Sequence, residues 1–348
     1  MARVRGSEET TIAFGGDTML GRLVDETQRT RDVTRVWGDL LPTLYECDGV
    51  VLNLECCLTT RGEPWQETYH PFHFRADPAW AVPALRHAGV DCVSLANNHV
   101  LDYGPEGLYD TFDALTRAGI ASTGAGCTRD SAFRPAVFLV GDLTVALCAF
   151  TDNTSEFAAS EDGPGTAYLV LDTAAEETVE MVRESLAAAR EADPDLLVVS
   201  LHWGPNMRTR PTAAFREFAH FLVNEGVDVV FGHSAHVFQG VERYGDGLIC
   251  YDAGDLVDDY AVDPNLRNDR SFLFVVSVGP EGALRSLRLI PTEIGDRMVN
   301  HAANGAADRS RRRMQSLSSE FGTTFDRDGQ DLVLDLSVPA DGEKGVAG

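Results

Sequence analysis

Residues 227–236 read VDVVFGHSAH, an apolar run that stops at a glycine and then presents His233 and His236. A short run of β-branched and aromatic residues bounded by glycine is typical of a buried β-strand. Because glycine permits a sharp turn, both imidazoles can be displayed at the end of that strand. This segment predicts a buried strand whose carboxyl end carries potential ligands.

The same pattern recurs at four earlier positions in the chain. Each is a short apolar run that ends abruptly at polar residues: Asp17; Asn53 and Glu55; Asn97, Asn98 and His99; and His202. In open α/β sheets, ligands gather at the carboxyl ends of the strands. A single histidine at such a place is usually structural, but repetition of the pattern favours one shared metal site.

The predicted metal ligands are the side chains of Asp17, Glu55, Asn98, His202, His233 and His236. These donors exceed the four that a tetrahedral zinc ion needs, so they suit two divalent ions. Carboxylate, amide and imidazole donors without a thiolate favour manganese, iron or zinc over copper. Two such ions clamp a water and lower its pKa towards about 7, which makes a nucleophile for a phosphoryl centre. His99, beside Asn98, is placed to protonate the leaving oxygen as general acid.

Further polar residues are predicted to contact an anionic substrate: Arg22, Asn53, Asn97, Arg75 and Asp255. Arg22 follows the first strand end closely enough to face the same pocket, but an ordinary surface position fits it equally well. Arg75 ends a loop rich in histidine and aromatic residues. That loop is either a wall facing the substrate or, as we favour, a segment anchored by its aromatic rings.

The composition argues against several classes of partner. The chain has 29 basic and 54 acidic residues, a net charge of −25, and such a surface repels nucleic acid and anionic lipid. No apolar run approaches the roughly 20 residues of a membrane helix, and the N-terminus lacks the apolar core of a signal peptide. We therefore expect a cytoplasmic protein without a membrane anchor or nucleic-acid partner, acting on an anionic small molecule or polymer. The sequence leaves the oligomeric state open.

The acidity and the cysteines bear on the environment of the protein. Lys344 is the one lysine in the chain. An acidic surface nearly free of lysine suits a protein adapted to high salt, where screening removes self-repulsion, although a GC-rich genome explains the lysine shortage equally well. The seven cysteines show no CxxC spacing, and several lie in apolar runs, so we expect free buried thiols.

The chain resembles the capsule-synthesis CapA family (poly-γ-glutamate biosynthesis) in GGDTMLGR, VLNLECCLT, SLANNHVLDYG, VSLHWG, VFGHSAHVFQGVE and YDAGDLVDDY. That family belongs to the calcineurin-like metallophosphoesterase superfamily, and the likeness runs in order from about residue 10 to about residue 290. It implies an α/β sandwich of two mixed β-sheets flanked by helices. We expect this domain over residues 8–295. A C-terminal extension over 296–348 is expected to hold a helix, a short strand and a disordered tail.

The resemblance also implies roles for individual residues. Asp17 is the aspartate of the first motif, and Glu55 stands where an aspartate usually bridges two metals. The remaining matches are the Asn-His pair, the lone histidine and the closing pair, namely Asn98 and His99, His202, and His233 with His236.

The chain departs from the superfamily pattern at three places. Met19 stands where many phosphoesterases have a second ligand, so one metal site is open to doubt. Glutamate replaces aspartate at Glu55. The closing histidines are separated by two residues in GHSAH instead of one, which leaves open which histidine would bind which metal.

Together these patterns predict a soluble metal-dependent hydrolase, most simply a phosphoesterase in which a bridging hydroxide attacks the phosphoester. The alternative is a non-catalytic accessory protein of capsule (poly-γ-glutamate) synthesis or export that binds polymer in the same cleft. A shared fold does not decide between them, because one fold can host many activities.

Overall fold

Two mixed β-sheets stacked face to face form the centre of this computed structural model, which describes residues 9–337. Helices pack on the outer face of each sheet. The expected sandwich of two mixed sheets flanked by helices is therefore confirmed. The predicted disordered tail lies outside the described residues.

The strands and helices follow one another along the whole described chain. The strands are β1 (Thr10–Thr18), β2 (Gly49–Leu54), β3 (Cys57–Leu58), β4 (Arg75–Ala76), β5 (Val90–Ser94), β6 (Ala121–Thr123), β7 (Ala125–Gly126), β8 (Ala136–Val140), β9 (Leu143–Thr151), β10 (Gly165–Thr166), β11 (Leu196–His202), β12 (Val229–His233), β13 (Val241–Tyr244), β14 (Gly247–Cys250), β15 (Asp255–Val257), β16 (Arg270–Val278), β17 (Leu284–Gly295), β18 (Met298–His301), β19 (Asp326–Asp328) and β20 (Asp331–Asp335). The helices are α1 (Arg22–Gln28), α2 (Leu41–Glu46), α3 (Pro78–His87), α4 (Gly104–Ala118), α5 (Arg129–Ala132), α6 (Glu176–Arg190), α7 (Ala213–Asn224) and α8 (Asn304–Ser319). Short 3-10 helices cover Arg35–Leu40, Ser155–Phe157 and Pro280–Gly282.

Each large sheet has a core of parallel strands. The ten-stranded sheet runs β19-β20-β17-β16-β1-β2-β5-β6, with β15 beside β1 and β18 beside β17. Within it β1, β2, β5 and β6 are parallel. The six-stranded sheet runs β13-β14-β12-β11-β9-β8, and its strands β14, β12, β11 and β9 are parallel. Parallel strands end at the same edge, so each sheet presents several strand ends together.

A layer of apolar side chains lies between the two sheets. Ile12 and Phe14 of β1 pack there with Val229 and Phe231 of β12, and the rings of Phe14 and Phe231 are 5.3 Å apart between centroids. Strands covered on both faces have nearly continuous apolar sequences. This explains why these runs are apolar without alternation.

Helix boundaries follow sequence signals. Helix α4 has Pro105 in its first turn and ends at Gly119, which adopts a left-handed φ of 71°, a conformation that glycine takes readily. Helix α6 turns Val182, Leu186 and Ala189 towards the six-stranded sheet, as their helical spacing predicts. Within residues 9–337, no helix combines the length and the apolar character needed to cross a membrane.

The segment after β17 adds to the ten-stranded sheet. Strands β18 and β20 both pair with β17, and β19 pairs with β20. Helix α8 buries Met314 and Leu317 in the layer between the sheets. All seven cysteines are free, and all but Cys127 are buried, which confirms the expected free thiols.

Candidate metal centre

The predicted ligands come together because the parallel cores of both sheets end at the same side of the sandwich. In the register of the sheets, Asp17 lies beside Asn53 of β2, and His202 lies beside His233. The carboxylate of Asp17 then reaches across to both imidazoles. Strand ends from two separate sheets therefore build one cluster.

The backbone around Asp17 departs from a regular strand. The register between β1 and β2 shifts between Gly15 and Asp17, and such bulges re-aim a side chain. A Cβ atom on Gly16 would collide with the carbonyl oxygen of Gly254. Glycine thus allows the close approach of the Gly254 segment, whose carbonyl accepts the Asp17 N–H at 3.0 Å.

A first group of potential ligands consists of Asp17, His202 and His233, all buried. Oδ1 of Asp17 is 3.5 Å from Nδ1 of each imidazole. The two Nδ1 atoms are 2.9 Å apart. Burial alone would raise the pKa of Asp17, but hydrogen bonds and charges of the surrounding histidines lower it well below its usual value. One carboxylate and two imidazoles that converge in this way suit a divalent cation.

Nε2 of His202 and Nε2 of His233 also have hydrogen-bond partners. Nε2 of His202 donates to Oδ1 of Asn98 at 2.7 Å, and Nε2 of His233 lies 2.8 Å from Oγ of Ser200. Such contacts turn Nδ1 towards the ligand position. Burial lowers the pKa of His233 to about 3, so its ring is neutral. Ser200 is not among the residues predicted from the sequence, although it lies two residues before His202 on the same face of β11.

A second group consists of Asp17, Glu55, His236 and Asp255, all buried. Nδ1 of His236 is 2.8 Å from Oδ1 of Asp255 and 3.4 Å from Oδ2 of Asp17. Asp255, expected to contact substrate, lies among these potential ligands. Asp17 belongs to both groups.

Glu55 gives the physical test of whether a cation fits. Its side chain is buried, and neither carboxylate oxygen has a hydrogen-bond partner. Burial, followed by the nearby charge of Asp17, raises its pKa well above the usual value. A buried carboxyl without partners is costly, and a bound cation would supply the missing partner. The donor set therefore fits a metal ion.

The unusual spacing of the closing histidines has a local explanation. Ser234 and His236 adopt positive φ angles of 108° and 58°, so the chain turns sharply after His233. The N–H of Ser234 donates to Oδ2 of Asp17 at 3.1 Å. The two histidines consequently belong to different groups of potential ligands.

The structure also places Glu55 and Met19, the other two departures from the superfamily pattern. Asp17 is the carboxylate common to both groups, whereas Oε1 of Glu55 lies 3.9 Å from Nε2 of His202. The side chain of Met19 is fully buried. Its sulfur accepts the N–H of Gly21 at 3.0 Å.

His99 borders the second group. Its Nε2 lies 3.8 Å from Oε1 of Glu55, and its Nδ1 is 2.7 Å from Asp102. The other oxygen of Asp102 lies 2.6 Å from Nε2 of His70, and the ring of His99 stacks on Phe74 at 3.8 Å. Asp102 is not among the residues predicted from the sequence, although its position three residues after His99 could have indicated that the two side chains are partners.

Asn53 and Asn97 lie behind the Asp17 carboxylate. Both are buried. The amide of Asn53 donates to Oδ1 of Asp17 at 2.7 Å, and the amide of Asn97 donates to Oδ1 of Asn53 at 3.1 Å and to the carbonyl of Leu54 at 2.8 Å. The side-chain amides of Asn53 and Asn97 thus donate hydrogen bonds to groups within the protein.

The two arginines expected at the substrate occupy different places. Arg22 pairs with Asp259 at 2.7 Å and lies 5.8 Å from the ring of Tyr260, which packs against His236. Arg75 is exposed, and its guanidinium lies 4.4 Å from the centroid of the Tyr103 ring. Arg22 therefore borders the cluster, whereas the Arg75 side chain forms no ion pair or hydrogen bond with the described members of the cluster.

Comparison with known families identifies the chain. The family described as "Bacterial capsule synthesis protein PGA_cap" matches residues 11–260. The chain belongs to this family. The matched PGA_cap region includes every residue of both ligand groups, and the resemblance to capsule-synthesis proteins is confirmed.

Relatives of this PGA_cap chain carry related descriptions. It is 32% identical to "Probable polyglutamine synthesis accessory protein" of Mycobacterium tuberculosis, over 90% of this chain and 92% of the relative. It is 30% identical to "Capsule biosynthesis protein CapA" of Bacillus anthracis, over 73% of this chain and 61% of that protein. Among solved structures, the calcineurin-like phosphoesterase YfkN from Bacillus subtilis aligns with a TM-score of 0.41 at 11% identity, covering 90% of this chain and 99% of YfkN.

Proposed function

We propose that this PGA_cap protein is a metal-dependent hydrolase that cleaves a phosphoester or a related bond. The observation that carries the proposal is the environment of Glu55. Its buried carboxylate has no hydrogen-bond donor, yet it lies among imidazoles and a second carboxylate. A cation bound there would offset the cost of burying it.

Both ligand groups would take part in holding divalent ions. Asp17, His202 and His233 would hold one ion, and Asp17, Glu55, His236 and Asp255 a second. Mixed carboxylate and imidazole donors suit manganese, iron or zinc. When bound, such ions lower the pKa of water and offset negative charge on a phosphoryl group.

The neighbouring residues would position these ligands. Asn53 and Asn97 hold the Asp17 carboxylate through a chain of amide hydrogen bonds. Asn98 holds His202 and Ser200 holds His233, each at the outer nitrogen. Partners of this kind fix the orientation of the donor atoms.

His99 would act as general acid. Asp102 holds its Nδ1 at 2.7 Å, and Phe74 stacks on the ring. This leaves Nε2 facing Glu55, where it can hold a proton for the leaving oxygen of the substrate. Arg22, at the border of the cluster, would contact the anionic part of the substrate.

A second candidate is an accessory protein of capsule polymer synthesis that binds an anionic polymer in this cleft without cleaving it. The observation that favours it is the 32% identity to a "Probable polyglutamine synthesis accessory protein" over 90% of this chain. Bound metal ions and Arg22 would then neutralise polymer carboxylates, because the net charge of −25 opposes an uncomplexed polyanion.

One experiment separates the two candidates. The full chain is purified, its bound metal is quantified, and aryl phosphate monoesters and diesters are assayed with added Mn²⁺. For the hydrolase we expect turnover that falls by about a hundredfold or more in His202→Ala and Asn98→Ala variants. The exposed His87→Ala variant is the matched control and should retain full activity.

Stoichiometric metal without turnover of any ester would support the accessory role. A chain that binds no divalent metal at all would falsify both candidates.

A further inference from the structure

A groove of about 240 Å³ beside helix α8 is lined by Arg267, Arg270, Arg309 and Arg313, together with apolar residues such as Phe238 and Leu266. No acidic side chain lines it among the described residues. In a chain with 54 acidic and 29 basic residues, this concentration of arginine is unexpected.

Two of these arginines are already neutralised. Nε of Arg270 donates to Glu293 at 2.8 Å. Arg267 donates to Asp269 at 2.8 Å and to Glu293 at 3.1 Å. The carboxylates of Asp269 and Glu293 thus offset the charges of Arg267 and Arg270. The two arginines on α8 are a different case.

Arg309 and Arg313 lie one helical turn apart on α8. Neither has an ion-pair partner among the described side chains, which are those of residues 9–280 and 282–337. Like charges at this spacing destabilise a helix. Arg313 donates from Nη1 to the carbonyl of Leu266 at 2.5 Å and lies 4.8 Å from the ring centroid of Phe238. Its Nη2 is buried without a hydrogen-bond partner.

Two arginines of the basic run at 311–313 differ in their contacts. Arg311 pairs with Asp308. Arg313 instead lines the groove, where its guanidinium lies over the ring of Phe238.

We propose that this groove binds an oxyanion, a carboxylate or a phosphate group, through Arg309 and Arg313. The planar fork of a guanidinium matches both groups and forms charge-assisted hydrogen bonds with them. The anion would supply the missing partner of Arg313 Nη2 and remove the repulsion within α8. This site uses none of the potential metal ligands, so it does not depend on the proposed hydrolysis.

The test is calorimetric titration of the full chain at low ionic strength. Inorganic phosphate and a short oligoglutamate peptide serve as separate probes for the two sources of the anion. We expect binding of at least one probe to weaken by about tenfold or more in Arg309→Gln and Arg313→Gln variants and to weaken with added salt. Arg312→Gln, an exposed neighbour on the same helix, is the matched control and should bind as the unmodified chain does.

Arg309 is exposed, so its variant keeps the test valid even where Arg313→Gln fails to fold. Binding of neither probe would overturn the proposal. Equal loss in Arg309→Gln and Arg312→Gln would also overturn it, because a diffuse charge effect would then explain the binding.

A second, independent feature is the free edge of the six-stranded sheet. Strand β8 ends the sheet order and exposes Val137 by 44% and Leu139 by 67%. The two-residue turn after β8 pairs Val140 with Leu143, a hydrogen-bonded pair in such hairpins. By alternation, the backbone N–H and C=O groups of Val137 and Leu139 point away from the sheet.

The other edges of the two large sheets are protected in ways that β8 is not. The N–H groups of Val241 and Arg243 in β13 donate to side chains of Ser318 and Thr323. Strand β19 reads Asp-Arg-Asp, and β6 has three residues. Charged residues, a short strand and side chains that cover the edge each prevent an edge strand from pairing with another chain. By contrast, β8 consists of five uncharged residues.

The sequence around β8 is complementary to itself. When two copies pair antiparallel about Phe138, Val137 faces Leu139 of the second copy and Arg134 faces Asp142 of the second copy. Both charged residues are exposed, and neither has an ion-pair partner among the side chains that the structure describes. Opposite charges facing each other across strands stabilise pairing.

We infer that two copies of the chain form a symmetric dimer by antiparallel pairing of β8. Sedimentation at about 100 µM, above the dissociation constant of a modest interface, should give twice the 37.8 kDa mass of one chain. Leu139→Lys should yield monomers, whereas Tyr45→Lys, at a site exposed by 54% elsewhere, should not. Arg134→Asp should weaken the dimer, and adding Asp142→Arg should restore it.

A monomer at this concentration would overturn the inference. So would a dimer that persists in Leu139→Lys, or a charge-reversed pair that fails to recover the association lost in the single variant.

Discussion

At the scale of single residues, the centre is organised by Asp17. Three imidazoles lie 3.4–3.5 Å from its two carboxylate oxygens. An amide of Asn53 and the N–H of Ser234 also donate to it. These contacts keep the carboxylate charged although it is buried. One side chain therefore belongs to both groups of potential ligands.

Glu55→Gln tests the fit of the second cation through stability alone. With saturating Mn²⁺, at about a hundred times its dissociation constant, the unmodified chain should gain about 2–3 kcal/mol of unfolding free energy. Glu55→Gln should gain markedly less, because a neutral amide is a weaker ligand. With a chelator the variant should be as stable as the unmodified chain or more so, since it buries no unpaired carboxyl. Thermal denaturation measures this, and exposed Glu46→Gln should behave as the unmodified chain; an equal metal response in Glu55→Gln would contradict the prediction.

Single variants of His233 and His236 test the division into two groups. Since each histidine belongs to a different group, His233→Gln and His236→Gln should each lose about one equivalent of bound metal, and the double variant should lose both. Elemental analysis of purified protein gives the count. Loss of all metal from either single variant would show that the two groups do not bind independently.

At the scale of elements, aspartates join the beginnings of neighbouring parallel strands. Asp48, Asp91, Asp195 and Asp228 each accept the N–H of a residue near the start of the adjacent strand, at 2.7–3.0 Å. These bonds satisfy donors that the sheet ladder leaves open at the edge opposite the metal centre. Part of the acidic composition is therefore structural.

Asp228→Asn should change stability in a manner that depends on pH. Burial raises the pKa of Asp228 to about 6, above its ordinary value in the unfolded chain, so its stabilising contribution is complete at low pH and lost as pH rises through 6. The asparagine oxygen can still accept the N–H of Leu197. The variant should nearly match the unmodified chain near pH 4 and exceed it by about 2–3 kcal/mol near pH 7. Urea denaturation at both pH values measures this, exposed Asp246→Asn is the control, and a gap that shrinks with rising pH would contradict it.

The strands could be predicted from the sequence more accurately than the contacts between them. The apolar runs before Asp17, His202 and His233 stop abruptly. The ends of these runs mark the ends of the strands, because a buried strand must end where polar side chains begin. The sharing of Asp17 between two groups depends on the bulge in β1 and on the close approach of Gly254, which are tertiary features. Strand β18 reads Met-Val-Asn-His, so two apolar residues are too few to form a run that predicts a strand.

At the scale of the whole molecule, the dominant feature is the net charge of −25. Many arginines are engaged in surface ion pairs, such as Arg210 with Glu320 and Arg183 with Glu225. Exposed pairs of this kind contribute little to stability. The unpaired excess of acidic side chains therefore sets the long-range electrostatics of the fold.

The net charge predicts that salt stabilises the fold. Raising NaCl from about 0.1 M to about 1 M shortens the screening length from about 10 Å to about 3 Å, which weakens repulsion among the excess carboxylates more than it weakens the surface ion pairs. The midpoint of urea denaturation should therefore rise. A variant with Glu180 and Glu184 on the exposed face of α6 and Glu191 directly after it changed to glutamine should show a smaller rise, because it has less repulsion to screen. A midpoint that falls with NaCl would mean that local ion pairs outweigh the excess charge.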